Sequence, residues 1–525
     1  MKVKNSFRLL VLLMSGFIAA CGSSNTSEPT TAITGSIFQG PVNGASVTVK
    51  KADGSAVAGP VTTGSDGSYS ISIPDSALSG DLVFESAGGT FTDEATGTTD
   101  VAAVALSAHI SGGALSSGGA VHVTPCTTIV QKLVALGKTK TEAETAFGTA
   151  FGFIPDSTLA PTDATNPATG ASDEQKLAGS RVAVFSQLAK DMDESQSHLL
   201  EHLPEDLEDD GILNGLPPYE LHLPEDIGNK YELAVVNFLN NTNNKSGLTP
   251  DKIGTLPFSK TALTTTYKVT YVEGSMKAMQ GKTTFKISVT KRSDGAAAPG
   301  LTVTLAPLMH MAAYSHVTPI DSITDDGDGA YTCVVYYLMA GGPTMGYWEL
   351  TVGVNGETAT FYPAVGMSMG DTTKVTLKHK DDTIPNMMGT LSPRAYPLFK
   401  EALTAETGGA YTFKAFVTSQ ESMTSFPKLF SGIVLSSGTT SELTVNPLSV
   451  QASTDGTTWT AMTEDTVNEG HFSVSGLTGL SSGVAGTVYV KLTINGNDYV
   501  DNATGDSTAA GAHIYATFNV TPGGM

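Results

Sequence analysis

Hydrophobic positions along this chain change their period three times, and each change marks a boundary. Residues Leu9 to Ala20 form a largely apolar run behind Lys2, Lys4 and Arg8. The run is well short of the roughly 20 residues a spanning helix needs, and it has the pattern of a cleaved export signal over 1–20. Gly, Ser, Thr and Asn follow over 21–32, the composition of a flexible tether. From Ile33 to Leu106 short alternating runs, Val47-Thr48-Val49, Tyr69 to Ile73 and Leu82-Val83-Phe84, predict strands, with Asp53-Gly54 and Asp66-Gly67 as turns. Over 107–245 the spacing becomes helical, in Thr127 to Val134, Glu174 to Met192 and Glu232 to Asn240. Thr124-Pro125 and Ser172-Asp173-Glu174 are the start signals. After a linker at 246–262 alternation returns and runs to the end.

Two blocks in that last stretch look alike. Gly329-Ala330-Tyr331 leads to Leu350 to Gly356, and Gly470-His471-Phe472 leads to Leu492 to Gly496, each ending in an Asn-Gly hairpin turn. This predicts two tandem sandwiches, at 263–384 and 398–525, with a proline-bearing linker at 385–397. The expected fold class is therefore mainly β with a helical insert, built from tandem Ig-like or transthyretin-like β-sandwiches.

Ile18-Ala19-Ala20-Cys21 at the end of the apolar run resembles the lipobox of bacterial lipoproteins. The resemblance implies acyl chains on Cys21, enough for stable anchoring. Gly22, in place of an aspartate, implies the outer membrane. The series Ile33-Thr34-Gly35, Gly40 to Val47 and Thr63 to Tyr69 resembles the carboxypeptidase regulatory-like β-sandwich, usually a spacer. Loss of the signal would leave 26 Lys and Arg against 51 Asp and Glu, a net charge near −25. Such a surface repels nucleic acid and anionic headgroups and concentrates cations. Cys126 and Cys333, the two other cysteines, are open to pairing or to simple burial.

Methionine marks the chemistry, because 10 of 16 fall between Met276 and Met388. Met309, His310, Met311, His316, Met339, Met345, Met367 and Met369 form a set of thioether and imidazole donors, which together favour copper, above all Cu(I). Met309-His310-Met311, Gly329-Ala330-Tyr331, Leu338 to Gly341 and Trp348-Glu349-Leu350 resemble the YtkA-like and FixH-like envelope domains. That resemblance implies a metal-associated module with Met309, His310 and Met311 in the ligand positions. On a regular strand, however, Met309 and Met311 share one face and His310 takes the other. Met309 with Met311 and Met367 with Met369 would then offer a four-thioether pocket, against the alternative of plain core packing.

His198-Leu199-Leu200-Glu201-His202 fits the H-x-x-E-H zinc pattern, with Glu220, Glu225 or Glu232 as unconstrained third ligands. The stretch 191–226 holds twelve acids and no Lys or Arg, the composition of a solvated face, and Pro204 is expected to end the helix. His202 to Asp206 and His222 to Asp226 repeat the same five residues as two helix starts, beside room for a divalent cation. No Ser-His-Asp set, phosphate loop or dinucleotide fingerprint stands out, so the expectation is a non-catalytic envelope protein. Its partners would be the membrane, metal ions or other envelope proteins, and not nucleic acid. The competing expectation is a structural or adhesive surface protein whose sandwiches act as spacers.

Overall fold

A computed structural model describes residues 28–523 of the protein. The expected signal run and the expected lipidation position, Cys21, lie outside the described residues. The fold is mainly β, with tandem two-sheet sandwiches and a helical block. No described helix is long and apolar enough to cross a membrane.

The N-terminal sandwich pairs a four-stranded sheet, Ala56–Thr62, Ser46–Lys51, Leu82–Ala87 and Leu106–Ile110, with a three-stranded one, Ser68–Pro74, Thr30–Ile37 and Gly119–Val123. The last strand of one sheet crosses the expected boundary at 106, and that of the other lies wholly beyond it. Gly119–Val123 runs parallel to Thr30–Ile37, and its Gly- and Ser-rich approach carries little alternation to betray it. At Gly35 the two backbones come so close that a Cβ would sit 1.7 Å from the Val121 carbonyl oxygen, so only glycine fits.

Thr124 caps the helix Pro125–Ala135 by accepting from the Thr127 amide, and Ser172 caps Asp173–Met192 through Gln175, where the sequence put the starts. Apolar residues of these helices and of Ile227–Leu239 share one continuous core with the N-terminal sandwich, from Ile33 to Leu256 and joined by Tyr347 and Tyr362. The boundary at 106/107 is therefore a change of secondary structure within a single core. Helix Gln196–Asp209 does not stop at Pro204. Leu199, Leu200, Leu203 and Leu207 are all buried, and their burial outweighs the roughly 3 kcal/mol that an interior proline costs.

The middle sandwich has one sheet in the order Thr261–Leu263, Tyr267–Glu273, Gly281–Lys291, Ala330–Tyr337, Ile320–Asp325. The other runs Ser315–Val317, Val303–His310, Tyr347–Val354, Glu357–Phe361. The C-terminal sandwich repeats both orders: Lys374–Pro385, Leu391–Ala405, Tyr411–Val417, His471–Leu477, Thr463–Glu464 against Thr460–Ala461, Leu448–Ser453, Gly486–Ile494, Asn497–Asp498, with Ala516–Val520 added beside Gly486–Ile494. The two Asn-Gly turns match down to the positive φ of Asn355 and Asn495. The two copies thus share topology as well as sequence pattern.

The segment 385–397 is not a linker. It is the tip of a hairpin and the first part of its returning strand Leu391–Ala405, with Asn386 donating its amide to the Thr390 carbonyl across the turn. Pro393 and Pro397 sit in a strand interior because regular pairing with Tyr411–Val417 begins only at Leu398, and the bonds before it use carbonyls, Gln420 donating to Ala395 and Thr418 to Pro397, so no proline N–H is needed. Cys126 and Cys333 are free thiols buried in two different cores, and burial pushes each up to about 12.

Candidate metal site of the middle sandwich

The strand Val303–His310 places Met309 inward and His310 outward, as strand alternation requires. Met309 is 0% exposed in the core of the middle sandwich. His310 faces away, with Nε2 3.2 Å from Glu349 Oε2 and its ring stacked on Tyr347 at 4.9 Å. The strand ends at His310, and Met311 packs half-buried beyond it. Met309, His310 and Met311 therefore do not meet at one point.

Met367 and Met369 stand apart as well. They occupy a loop between Glu357–Phe361 and Lys374–Pro385, 63% and 91% exposed. Among the described residues no pair of strands brings them against Met309 and Met311, so the four-thioether pocket does not form. The alternation Met-Ser-Met reads as a strand, but Gly366 and Gly370 bracket it and only Gly366 makes a bridge, to Met279. Met345 packs half-buried against the core.

A different subset does come together. Met309 lies directly across from His316 on one neighbouring strand and from Trp348 on the other, so all three side chains share the inner face. His316 is 6% exposed and turns its ring edgewise to Trp348, 5.5 Å away at 84°. Its Nδ1 donates to the Val317 carbonyl oxygen at 2.8 Å, which fixes the tautomer. Burial lowers its pKa, with Lys374 adding to the effect, so the ring is held neutral. The remaining Nε2, which carries the lone pair, lies 3.5 Å from Met339 Sδ. Trp348 anchors that same residue by donating from Nε1 to the Met339 carbonyl oxygen at 3.1 Å.

A lone pair facing a thioether makes no hydrogen bond. A nitrogen about 2.0 Å and a sulfur about 2.3 Å from one ion, at a tetrahedral angle, would stand about 3.5 Å apart. His316 and Met339 already hold that separation. Among the described residues no group of three or more His, Cys, Asp or Glu is arranged for a metal, so a site here depends on the thioethers. Sequence reasoning placed His316 and Met339 in the donor set but missed Trp348 as its third wall. Counted back from the two Asn-Gly turns, Val488 takes the place of Trp348, and the strand that matches Val303–His310 ends at Ser453, one position short of a Met309 counterpart. The fold therefore does not require these two residues.

A second concentration of charge joins the two tandem sandwiches. His471 donates from Nε2 to Asp321 Oδ1 at 2.9 Å and from Nδ1 to Glu401 Oε2 at 2.8 Å. Lys428 reaches Asp321 at 2.7 Å, Lys282 reaches Glu401 at 2.8 Å, and Tyr336 donates to Glu401 at 2.6 Å. Burial alone would lower the imidazole, but the two carboxylates outweigh it and raise His471 to about 9. Burial likewise opposes, and the cationic partners overcome it in holding, Asp321 and Glu401 down at about 2. Beneath this cluster Tyr336 stacks on Phe416 at 4.2 Å, with Phe399 beside them. Nothing in the local pattern around His471 marks it out, since its partners lie 70 and 150 residues away.

No protein-family model matches the chain, and no curated protein matches it.

Proposed function

We propose that this protein is a lipid-anchored envelope protein that binds a soft metal ion, Cu(I) above all, in the middle sandwich, and that it does no catalysis. The supporting observation is the His316 Nε2 lone pair set 3.5 Å from Met339 Sδ beneath Trp348, with Met309 on the same inner face. Imidazole with thioether is a soft donor set. Thioethers carry no proton to lose and form no disulfides, which suits an oxidising compartment. His310, Met311, Met367 and Met369 do not belong to this set. Bound there, the ion would be shielded from water by the indole and the surrounding core, which favours sequestration or handover over redox turnover.

The anchor follows from Cys21 behind the apolar run. It predicts incorporation of labelled palmitate that Cys21→Ser abolishes. Copper binding is tested by titrating the whole chain, in detergent, with Cu(I) against a competing chelator. One tight equivalent is expected, and His316→Gln with Met339→Leu should weaken it by at least about 100-fold. Tight binding that survives both changes would rule out this site. A spacer role fits the C-terminal sandwich, whose copy of the scaffold lacks Met309 and Trp348 counterparts.

A further inference from the structure

The helical block brings together three histidines that the sequence keeps apart. His198 and His202 lie one turn apart on helix Gln196–Asp209. The loop leaving that helix folds back on itself through a bridge between Leu216 and Leu223, the Leu216 amide donating to the Leu223 carbonyl at 3.0 Å. This return places the His222 ring against His202, with centroids 4.6 Å apart, while His198 and His202 lie 4.5 Å apart. All three are half-buried at the surface.

Each ring has one nitrogen committed to an oxygen that can only accept. His198 Nε2 donates to the His222 carbonyl at 2.8 Å, His202 Nδ1 to Glu205 Oε2 at 2.8 Å, and His222 Nδ1 to the Pro217 carbonyl at 3.2 Å. In the neutral rings the lone pairs therefore reside on His198 Nδ1, His202 Nε2 and His222 Nε2. Imidazoles that bind metals are oriented in this way, one N–H given to a carbonyl or carboxylate and the other nitrogen left free. Rings meeting on one ion at about 2.0–2.1 Å per nitrogen have centroids about 5 Å apart, close to the spacings seen here. The rings are not yet closed on a common point, so binding requires them to rotate while the backbone holds them. Twelve acids and no Lys or Arg over 191–226 attract a dication to the place.

We propose that His198, His202 and His222 form a second, independent metal site for a borderline divalent ion of the zinc class. Glu205 is the carboxylate that orients His202. The site shares no residue with the soft-metal site of the middle sandwich, and neither depends on the other. Three imidazoles leave a fourth position for water or an outside ligand.

The probe is Co(II), titrated into the whole chain in detergent and followed by its visible absorption, then displaced by Zn(II). One equivalent with the intense band of a four-coordinate ion is expected. His222→Gln should abolish the band, Glu205→Gln should weaken binding by about 10–100-fold, and His316→Gln should change nothing. Circular dichroism melting checks that each variant remains folded. No band up to millimolar Co(II), or a band untouched in folded His222→Gln and in His198→Gln/His202→Gln, would overturn the site.

Discussion

His471 gives the sharpest quantitative test, because one side chain holds half-buried Glu401 of its own sandwich and half-buried Asp321 of the other. Its folded value of about 9 stands against an ordinary 6.5. At about 1.4 kcal/mol per pH unit, that difference makes the charged ring worth about 3 kcal/mol to the folded pair. A raised imidazole contributes its full share below about pH 6.5 and loses it as pH climbs through about 9. Asp321 and Glu401, held down at about 2, contribute above the ordinary carboxylate range and lose their share as pH falls through about 2. Coupling between the sandwiches should therefore be greatest between about pH 4.5 and 6.5. His471→Gln removes the titration and leaves both carboxylates short of a partner. Urea unfolding read by Trp348 and Trp459, which sit in different sandwiches, should show the variant about 2–3 kcal/mol less stable at pH 6. The gap should shrink towards zero by about pH 9.5. A gap that stays constant from pH 6 to 9.5 would mean that His471 is not charged in the fold, and the clamp would be refuted.

Three further outcomes follow from buried groups. Arg394 is 0% exposed, 2.7 Å from Asp382 and 3.1 Å from Glu421, while Tyr396 and Tyr499 also donate to Asp382. Arg394→Ala should cost about 3–5 kcal/mol in urea unfolding, because it strands two carboxylates. Glu94 is fully buried, and burial, with Asp163 and Asp93, raises it well above the usual range against a weaker opposing pull from the Gly40 amide. Folding should therefore lose stability as pH rises past the unfolded value of a glutamate, and Glu94→Gln should melt higher than wild type at pH 8 but not at pH 4. Met309→Leu should cost less than about 1.5 kcal/mol and Met309→Ala about 2–5 kcal/mol, by thermal melting of the apoprotein. If Met309 is a ligand, both variants weaken Cu(I) although only one disturbs the core.

What the sequence disclosed was local. Alternation gave the sandwiches, capping residues Thr124 and Ser172 gave helix starts, and Asn355-Gly356 with Asn495-Gly496 revealed the duplicated hairpin. What it concealed depends on long-range pairing. Gly119–Val123 becomes a strand only because Thr30–Ile37 accepts it in parallel, and the prolines of 385–397 read as a linker because regular pairing on one side of their strand starts only at Leu398. The methionine set was visible as composition, but which members meet was decided by register. His316 and Trp348 flank Met309 across two strands, while Met367 and Met369 end in a loop. His222 joined His198 and His202 through a turn whose closing contact, Leu216 to Leu223, carries no sequence signature.

The most direct test of the soft-metal reading is copper X-ray absorption on the whole chain loaded with one equivalent of Cu(I). A first shell of one imidazole nitrogen with thioether sulfur is expected, losing the imidazole in His316→Gln and sulfur in Met339→Leu. A shell of nitrogen and oxygen alone, or one unchanged by both substitutions, would place the copper elsewhere and end the case for this site.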